Sequence, residues 1–354
     1  MKPVAIPAAL TVFAAAIVTV AFLPDGQVRA PVDLGQLALR PAAVDAETLL
    51  ADALRANRST AFEGTLTVVG VEGPSVFQMD VEAASDGTRT VDTGSWLFGQ
   101  DRDGAWAASD EGQWLEQAPG AAPDIGVDSL LQKYRVTSAG LRELPTGDAW
   151  LLVVTERGEQ TAREWLSVDV STGLLVRRET FDDDGAAVRL VAFETLRTAG
   201  RIAGLAPPSI ESPLRSQPET SEWNGIDVAE LPGQYRLIGV TRHDKANMPA
   251  MTMVFSDGLY QLSVSPIAGE LDGGHLQGAV LEHWGGLHLY RWPGAEPQRL
   301  VWSGDGHTFT AITDAPLDAV LPALESFPSD PAPGTVSRMR RGLERVVDTL
   351  WPFN

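Results

Sequence analysis

The stretch from Leu166 to Gly185, LSVDVSTGLLVRRETFDDDG, most constrains what this chain can fold into. Leu166, Val168 and Val170 alternate with Ser167 and Asp169, the period of two that marks a half-buried strand. Ser171-Thr172-Gly173 then supplies a turn whose glycine can take positive φ, and Leu174 and Val176 alternate with Leu175 and Arg177 on the return. A second turn at Asp182-Asp183-Asp184-Gly185 leads into AAVRLVAFETLR. Alternating runs joined by tight turns predict an antiparallel meander with one apolar and one wet face. The apolar face has to be covered by something else in the chain.

The same pattern fills most of the sequence. FEGTLTVVG, SVFQMDVEA, TRTVD, WLFGQ, GAWAAS and QWLEQ are short runs rich in Val, Thr, Phe and Trp, with turn signals about every 8 to 12 residues. One helix precedes them: DAETLLADALRAN puts Leu49, Leu50, Ala53 and Leu54 on one side, with Asp45 as its N-cap. The fold class is therefore α+β and mostly antiparallel β. At 354 residues the chain has room for two domains of about 150 residues each. The first is expected over 43–203. Residues 204–225, rich in Pro, Ser, Thr and Glu, read as a linker. A smaller β-rich domain follows over 226–328, closing with a short helix in PLDAVLPALESF. Beyond a proline-rich spacer, residues 335–354 place Val336, Met339, Leu343, Val346 and Leu350 at helical steps, with Arg338, Arg340, Arg341 and Arg345 elsewhere. This is an amphipathic helix with a basic wet face.

Residues 1–30 are a targeting or anchoring segment. Val4 to Leu23 carries no charge and is long enough, as a helix, to span a hydrocarbon core of about 30 Å. A small-x-small cleavage site can be read at Val28-Arg29-Ala30, but Pro31 directly after the cut would hinder a signal peptidase. The expectation is a retained single-pass anchor. Lys2 before the span weakly places the bulk of the protein outside the cytoplasm. Cleavage would instead give a secreted or periplasmic protein. The net charge of −20 argues against nucleic acid as a partner. The lack of cysteine removes disulfides, thiolate metal sites, cysteine nucleophiles and a lipobox anchor.

Catalytic chemistry is sparse. Asp92-Thr93-Gly94-Ser95 matches the tetrad of aspartic proteases, whose chemistry needs two carboxylates sharing a proton. No second Asp-Thr-Gly occurs, and the same residues are ordinary turn formers. The five histidines, His243, His275, His283, His288 and His307, show no zinc-ligand spacing and read as strand or surface residues. No metal site and no cofactor is expected. What remains is a surface. Leu66, Val68, Phe77, Met79, Val81 and Trp106 recur on alternate strand positions, as a closed core or as the lining of a cavity for an apolar ligand. The four arginines of the C-terminal helix, with Trp351, suit an anionic headgroup layer or an acidic partner, unless the helix packs on its own body.

Three segments, Trp165–Arg197, Leu231–His243 and Met251–Pro266, resemble in order and spacing the RseB/MucB family of extracytoplasmic sigma-factor regulators. Ser-Thr-Gly-Leu-Leu at 171–175 with Asp-Asp-Gly at 183–185, and Phe-Ser-Asp-Gly-Leu at 255–259, carry the likeness, which spans most of 44–330. The resemblance implies a first domain like the lipoprotein carrier LolA, an open half-barrel wrapped on helices, followed by the smaller β-rich domain. It implies a binding protein rather than an enzyme. The expected partner is the extracytoplasmic segment of a membrane-spanning anti-sigma factor, shielded from proteolysis and released when envelope-derived lipid occupies the apolar concavity. A lipid or lipoprotein carrier that holds acyl chains is the alternative. The uncharged N-terminal span and the basic C-terminal helix depart from the family pattern.

Overall fold

The computed structural model describes residues 39–70, 76–94, 96–100, 105–109, 114–117, 127–198, 222–223, 226–245, 248–269, 271, 276–295 and 297–330. The expected anchor, most of the linker and the basic C-terminal helix lie outside the described residues. No helix among the described residues is long and apolar enough to cross a membrane.

The chain is mostly antiparallel β, in two large open sheets. Helix α1 (Ala46–Ser59) precedes β1 (Phe62–Gly70), β2 (Val76–Ala83), β3 (Arg89–Asp92), β4 (Trp96–Gln100), β5 (Ala105–Ser109) and β6 (Trp114–Gln117). Helix α2 (Val127–Lys133) leads into β7 (Tyr134–Leu144), β8 (Gly147–Glu156), β9 (Ala162–Asp169), β10 (Leu175–Phe181) and β11 (Ala187–Thr198). These strands form one sheet in the order β6-β5-β4-β3-β2-β1-β11-β10-β9-β8-β7, so that the first strand pairs with the last. A short ribbon of β12 (Glu222–Trp223) and β13 (Ile226–Asp227) comes next. The second sheet holds β14 (Glu230–Leu231), β15 (Tyr235–Lys245), β16 (Met248–Ser256), β17 (Gln261–Ala268), β18 (Val280–Trp284), β19 (Leu287–Arg291), β20 (Gln298–Gly304) and β21 (His307–Thr313). Its order is β14-β15-β16-β17-β21-β20-β19-β18, and helix α3 (Leu317–Leu324) follows.

Local chemistry explains the elements that frame the first sheet. Asp45 caps α1, accepting from the Thr48 N–H, and the helix turns Ala46, Leu50 and Ala53 inward onto β7 and β10. At its far end the buried Asn57 side chain accepts the Leu175 N–H at 2.9 Å, tying the helix to the start of β10. The turn between β9 and β10 is built on one carboxylate. Asp169 accepts from the N–H groups of Ser171 and Thr172 at 3.0 and 2.8 Å and from both their hydroxyls, while Gly173 takes φ +72°. In the next turn Asp182 accepts the Ala186 N–H at 2.7 Å and Gly185 takes φ +78°.

The hairpin of β9 and β10 differs from the expectation of a wet face. Glu164 and Ser167 are 0 % exposed, Glu179 3 % and Arg178 6 %. Both faces are covered, and the charged side chains pair with one another. Arg142 donates to Glu179 at 2.8 Å and to the Ser167 hydroxyl, and Arg177 donates to Glu179 at 2.9 Å. Arg178 donates to Glu164 at 2.9 Å and reaches the second sheet, donating to Asp314 at 3.1 Å and to the Leu259 carbonyl at 3.2 Å. A buried charge persists only with such partners.

One apolar cluster runs through both sheets. It joins Leu50, Leu130, Tyr134, Leu152 and Val168 to Tyr235, Phe255, Tyr260, Leu262 and Trp302. A second cluster belongs to the first sheet alone and contains Phe62, Leu66, Val68, Met79, Val81, Val91, Val176 and Phe193. Full burial of such side chains contributes about 1.5–3 kcal/mol each, so the seam between the sheets is part of the core.

Candidate functional site

The apolar candidates from the sequence fall largely together. Leu66 faces Met79 and Val68 faces Phe77 across the β1–β2 ladder, and Val81 lies opposite Gly64. Leu66, Val68, Met79 and Val81 are buried, and Phe77 is partly buried against the same cluster. Phe62 and Phe193 close one flank, ring edge to face at 5.7 Å. Ala56 of α1 and Leu144 of β7 also pack here. Trp106 lies on β5, its backbone opposite Gly99 and Glu116 in the ladder. Five of the six positions thus form one apolar patch on two neighbouring strands, with Phe77 at its margin.

A second polar centre sits where the two sheets meet, and sequence reading missed it. Helix α2 ends at Lys133, whose Nζ donates to Asp257 Oδ2 at 2.7 Å and to the Gly233 carbonyl at 2.9 Å. The Tyr134 hydroxyl donates to the same Oδ2 at 2.6 Å. Burial pushes the Tyr134 hydroxyl well above its ordinary range, and the Asp257 charge adds to the shift, so Tyr134 stays a donor. Asp257 Oδ1 accepts the N–H groups of Leu259 and Tyr260 at 3.0 and 2.8 Å, holding the turn from β16 to β17. Gly258 in that turn has φ +94°, and a Cβ there would run into the Leu130 backbone of α2. The Lys133 ammonium also lies over the rings of Tyr134 and Tyr235, at 5.1 and 5.5 Å. Asp257 and Gly258 belong to the Phe-Ser-Asp-Gly-Leu motif, and that motif was the one signal in the sequence; nothing there named Lys133 as its partner.

Asp92 is exposed, and its carboxylate accepts the Gly94 N–H at 2.7 Å, which is turn chemistry. Asp80 lies opposite it in the ladder, with its own carboxylate taken by the Thr65 hydroxyl at 3.0 Å. His283 and His288 prove to be cross-strand neighbours whose rings meet edge to face, centroids 4.5 Å apart. His307 contacts the Asp305 carbonyl at 2.9 Å, His243 lies on β15, and His275 is outside the described residues. Among the described residues no three His, Asp or Glu side chains are grouped to hold a metal ion.

Solved structures of MucB match this chain. A crystal structure of MucB is 20% identical, covers 82% of this chain and 100% of its own, and superposes with a TM-score of 0.49. The MucA/MucB complex of Pseudomonas aeruginosa is 20% identical over 81% of this chain and 99% of the other, with a TM-score of 0.47. A LolA superfamily protein from Nitrosomonas europaea covers 77% of this chain and 92% of its own at 9% identity, with a TM-score of 0.21. No family model matches the chain, and no curated protein matches it. At such identities a binding partner does not pass from one chain to another.

Proposed function

We propose that this chain is an extracytoplasmic regulator that binds the extracytoplasmic segment of a membrane-spanning anti-sigma factor. In this reading Val4–Leu23 tethers it to the membrane, with both sheets outside the cytoplasm, and acyl chains reaching the β1–β2 patch release the partner. The observation that supports it is where the family-like motifs fall. Asp169 and Asp182 hold the turns on either side of β10, and Asp257 holds the seam between the sheets. The resembling turns at 171–175 and 183–185 are thus held by the residues that directly precede them, and the third motif contributes Asp257 to the seam, so the likeness falls on positions on which the two-sheet body depends. The apolar patch supports the second half of the reading. Phe77, half-buried at its margin, offers an acyl chain a place to enter beside Leu66 and Met79.

The test uses the full chain and purified extracytoplasmic segments of membrane-spanning anti-sigma factors. One such segment is expected to bind, with at least tenfold weaker binding once a saturating long-chain fatty acid or lipid A is added. Phe77→Asp is expected to abolish the lipid effect while leaving partner binding in place. Absence of binding to any such segment overturns the reading. Transfer of acylated protein between vesicles, without partner binding, would establish the carrier instead.

A further inference from the structure

A cavity of about 260 Å³ lies where the β10–β11 turn of the first sheet meets the β18–β19 hairpin of the second. Asp182, Asp183, Asp184, Trp284, Trp292 and Gln298 are among its walls. Asp183 and Asp184 are exposed and hold no ion pair among the described residues. Trp292 already carries one guanidinium, that of Arg299, 4.6 Å from its ring centroid. The Gln298 carbonyl oxygen is buried with no partner among the described residues. Five carboxylates, Asp182, Asp183, Asp184, Asp314 and Asp318, line the cavity against two arginines, Arg189 and Arg291, and this acidic excess beside tryptophan rings and an unused acceptor is recognition chemistry for a further guanidinium group.

Next to the cavity the second sheet ends in a strand that no other strand among the described residues pairs with on its outer side. β18 is the edge of that sheet, and Val280 and Trp284, which share one of its faces, are 48 % and 40 % exposed. Large apolar side chains grouped on an edge strand mark a surface that expects a cover.

The chain itself leads a cover to this place. The Trp302 indole donates to the Pro328 carbonyl at 3.0 Å, the Ser329 hydroxyl to the Gly286 carbonyl at 3.2 Å, and the Asp330 N–H to the Ser303 carbonyl at 2.8 Å. These bonds fix residue 330 beside the β18–β19 turn, two positions along the hairpin from Trp284. Eight residues further on is Arg338, within a reach of about 26 Å of extended chain. That exceeds the roughly 17 Å length of a five-residue strand. The sequence from 335 onward carries an apolar stripe and four arginines against Glu344 and Asp348, in a chain of net charge −20. An isolated helix of about 15 residues is marginal in water and needs a surface to bury its stripe.

We infer that residues 335–354 dock in cis on this seam, the apolar stripe covering Val280 and Trp284 on the face of β18 that borders the cavity, and an arginine entering the cavity beside Asp183 and Asp184. A tether this short gives an effective concentration on the order of millimolar, so modest contacts suffice. The docked segment covers the line along which the two sheets meet and competes with any basic amphipathic partner for it. This inference is independent of the anti-sigma reading.

The experiment is hydrogen exchange on the full chain and on two variants, one with Arg338, Arg340, Arg341 and Arg345 all changed to Gln, the other Asp183→Asn with Asp184→Asn. Both variants are expected to speed exchange at residues 280–291 at least fivefold, with β9 to β11 unchanged as the control for folding. Asp182, which caps the turn, is retained in both. Equal exchange at 280–291 in all three proteins overturns the inference. So does protection that disappears on dilution, which would be contact between copies, or protection seen only with anionic vesicles, which would be a lipid surface.

Discussion

Replacing Asp257 by Asn tests whether the seam is held by the charge at its centre. The Asp257 side chain is 0 % exposed and that of Lys133 4 %. Asn can still accept the Leu259 and Tyr260 N–H groups, but it leaves the Lys133 ammonium without its counter-ion. Breaking a buried pair in this way costs about 3–5 kcal/mol. With a urea dependence of about 3 kcal/mol per molar, the unfolding midpoint should fall by roughly 1–1.7 M, followed by circular dichroism and tryptophan fluorescence. Both signals should move together, because one apolar cluster passes through both sheets. The variant Lys133→Met with Asp257→Asn removes the stranded cation, so it should regain about 2 kcal/mol relative to the sum of the single changes. A loss below about 1 kcal/mol in Asp257→Asn, or no coupling between the two sites, refutes the argument that the pair holds the seam.

The Glu179 carboxyl gives a pH dependence. Burial alone would raise it, but the hydrogen bond from Arg177 and the charges of Arg177 and Arg142 hold it below its ordinary value. Its contribution is therefore present above the unfolded carboxylate range, near pH 4.3, and lost as pH falls through the lower folded value. The stability difference between the native chain and Glu179→Gln should be widest near neutrality and shrink below about pH 4; a difference that grows on acidification contradicts the assignment. Asp92→Asn should change stability by less than about 1 kcal/mol and leave partner binding intact, since Asp92 only holds its own turn. A peptidase activity abolished by that change would reverse this conclusion.

Much of the scaffold was legible because it is set by local chemistry. β1 and β4 coincide with FEGTLTVVG and WLFGQ, the Asp45 cap starts α1 where expected, and α3 falls inside PLDAVLPALESF. The turn at 171–173 was also legible, since Asp169 and Gly173 act within a few residues of one another. What depends on distant partners was not. Ser167 and Glu179 alternate as solvent-facing residues do, and only Arg142, brought alongside by β7, makes them interior. Helix α2 carries too short an apolar pattern to stand out, yet it delivers Lys133 to Asp257 across 124 positions of sequence. His283 and His288, five apart, face each other because the hairpin turns at Gly285 and Gly286, a register that residue spacing alone does not disclose.

The pairing of β1 with β11 has a consequence for how the chain acquires its structure. Phe62 meets Thr198 in the middle of the large sheet, so the earliest strand waits for the latest before it has a neighbour on that side. Chains emerge amino end first at about 5–20 residues per second. For several seconds, therefore, β1 presents a bare row of amides and carbonyls flanked by Leu66 and Val68, an invitation to pair with another molecule. Sequence-distant closure of this kind is slow. The central strand of the finished sheet is thus a temporary edge in the nascent one, and yield in refolding should fall steeply with protein concentration unless a holding chaperone keeps β1 covered until β11 arrives.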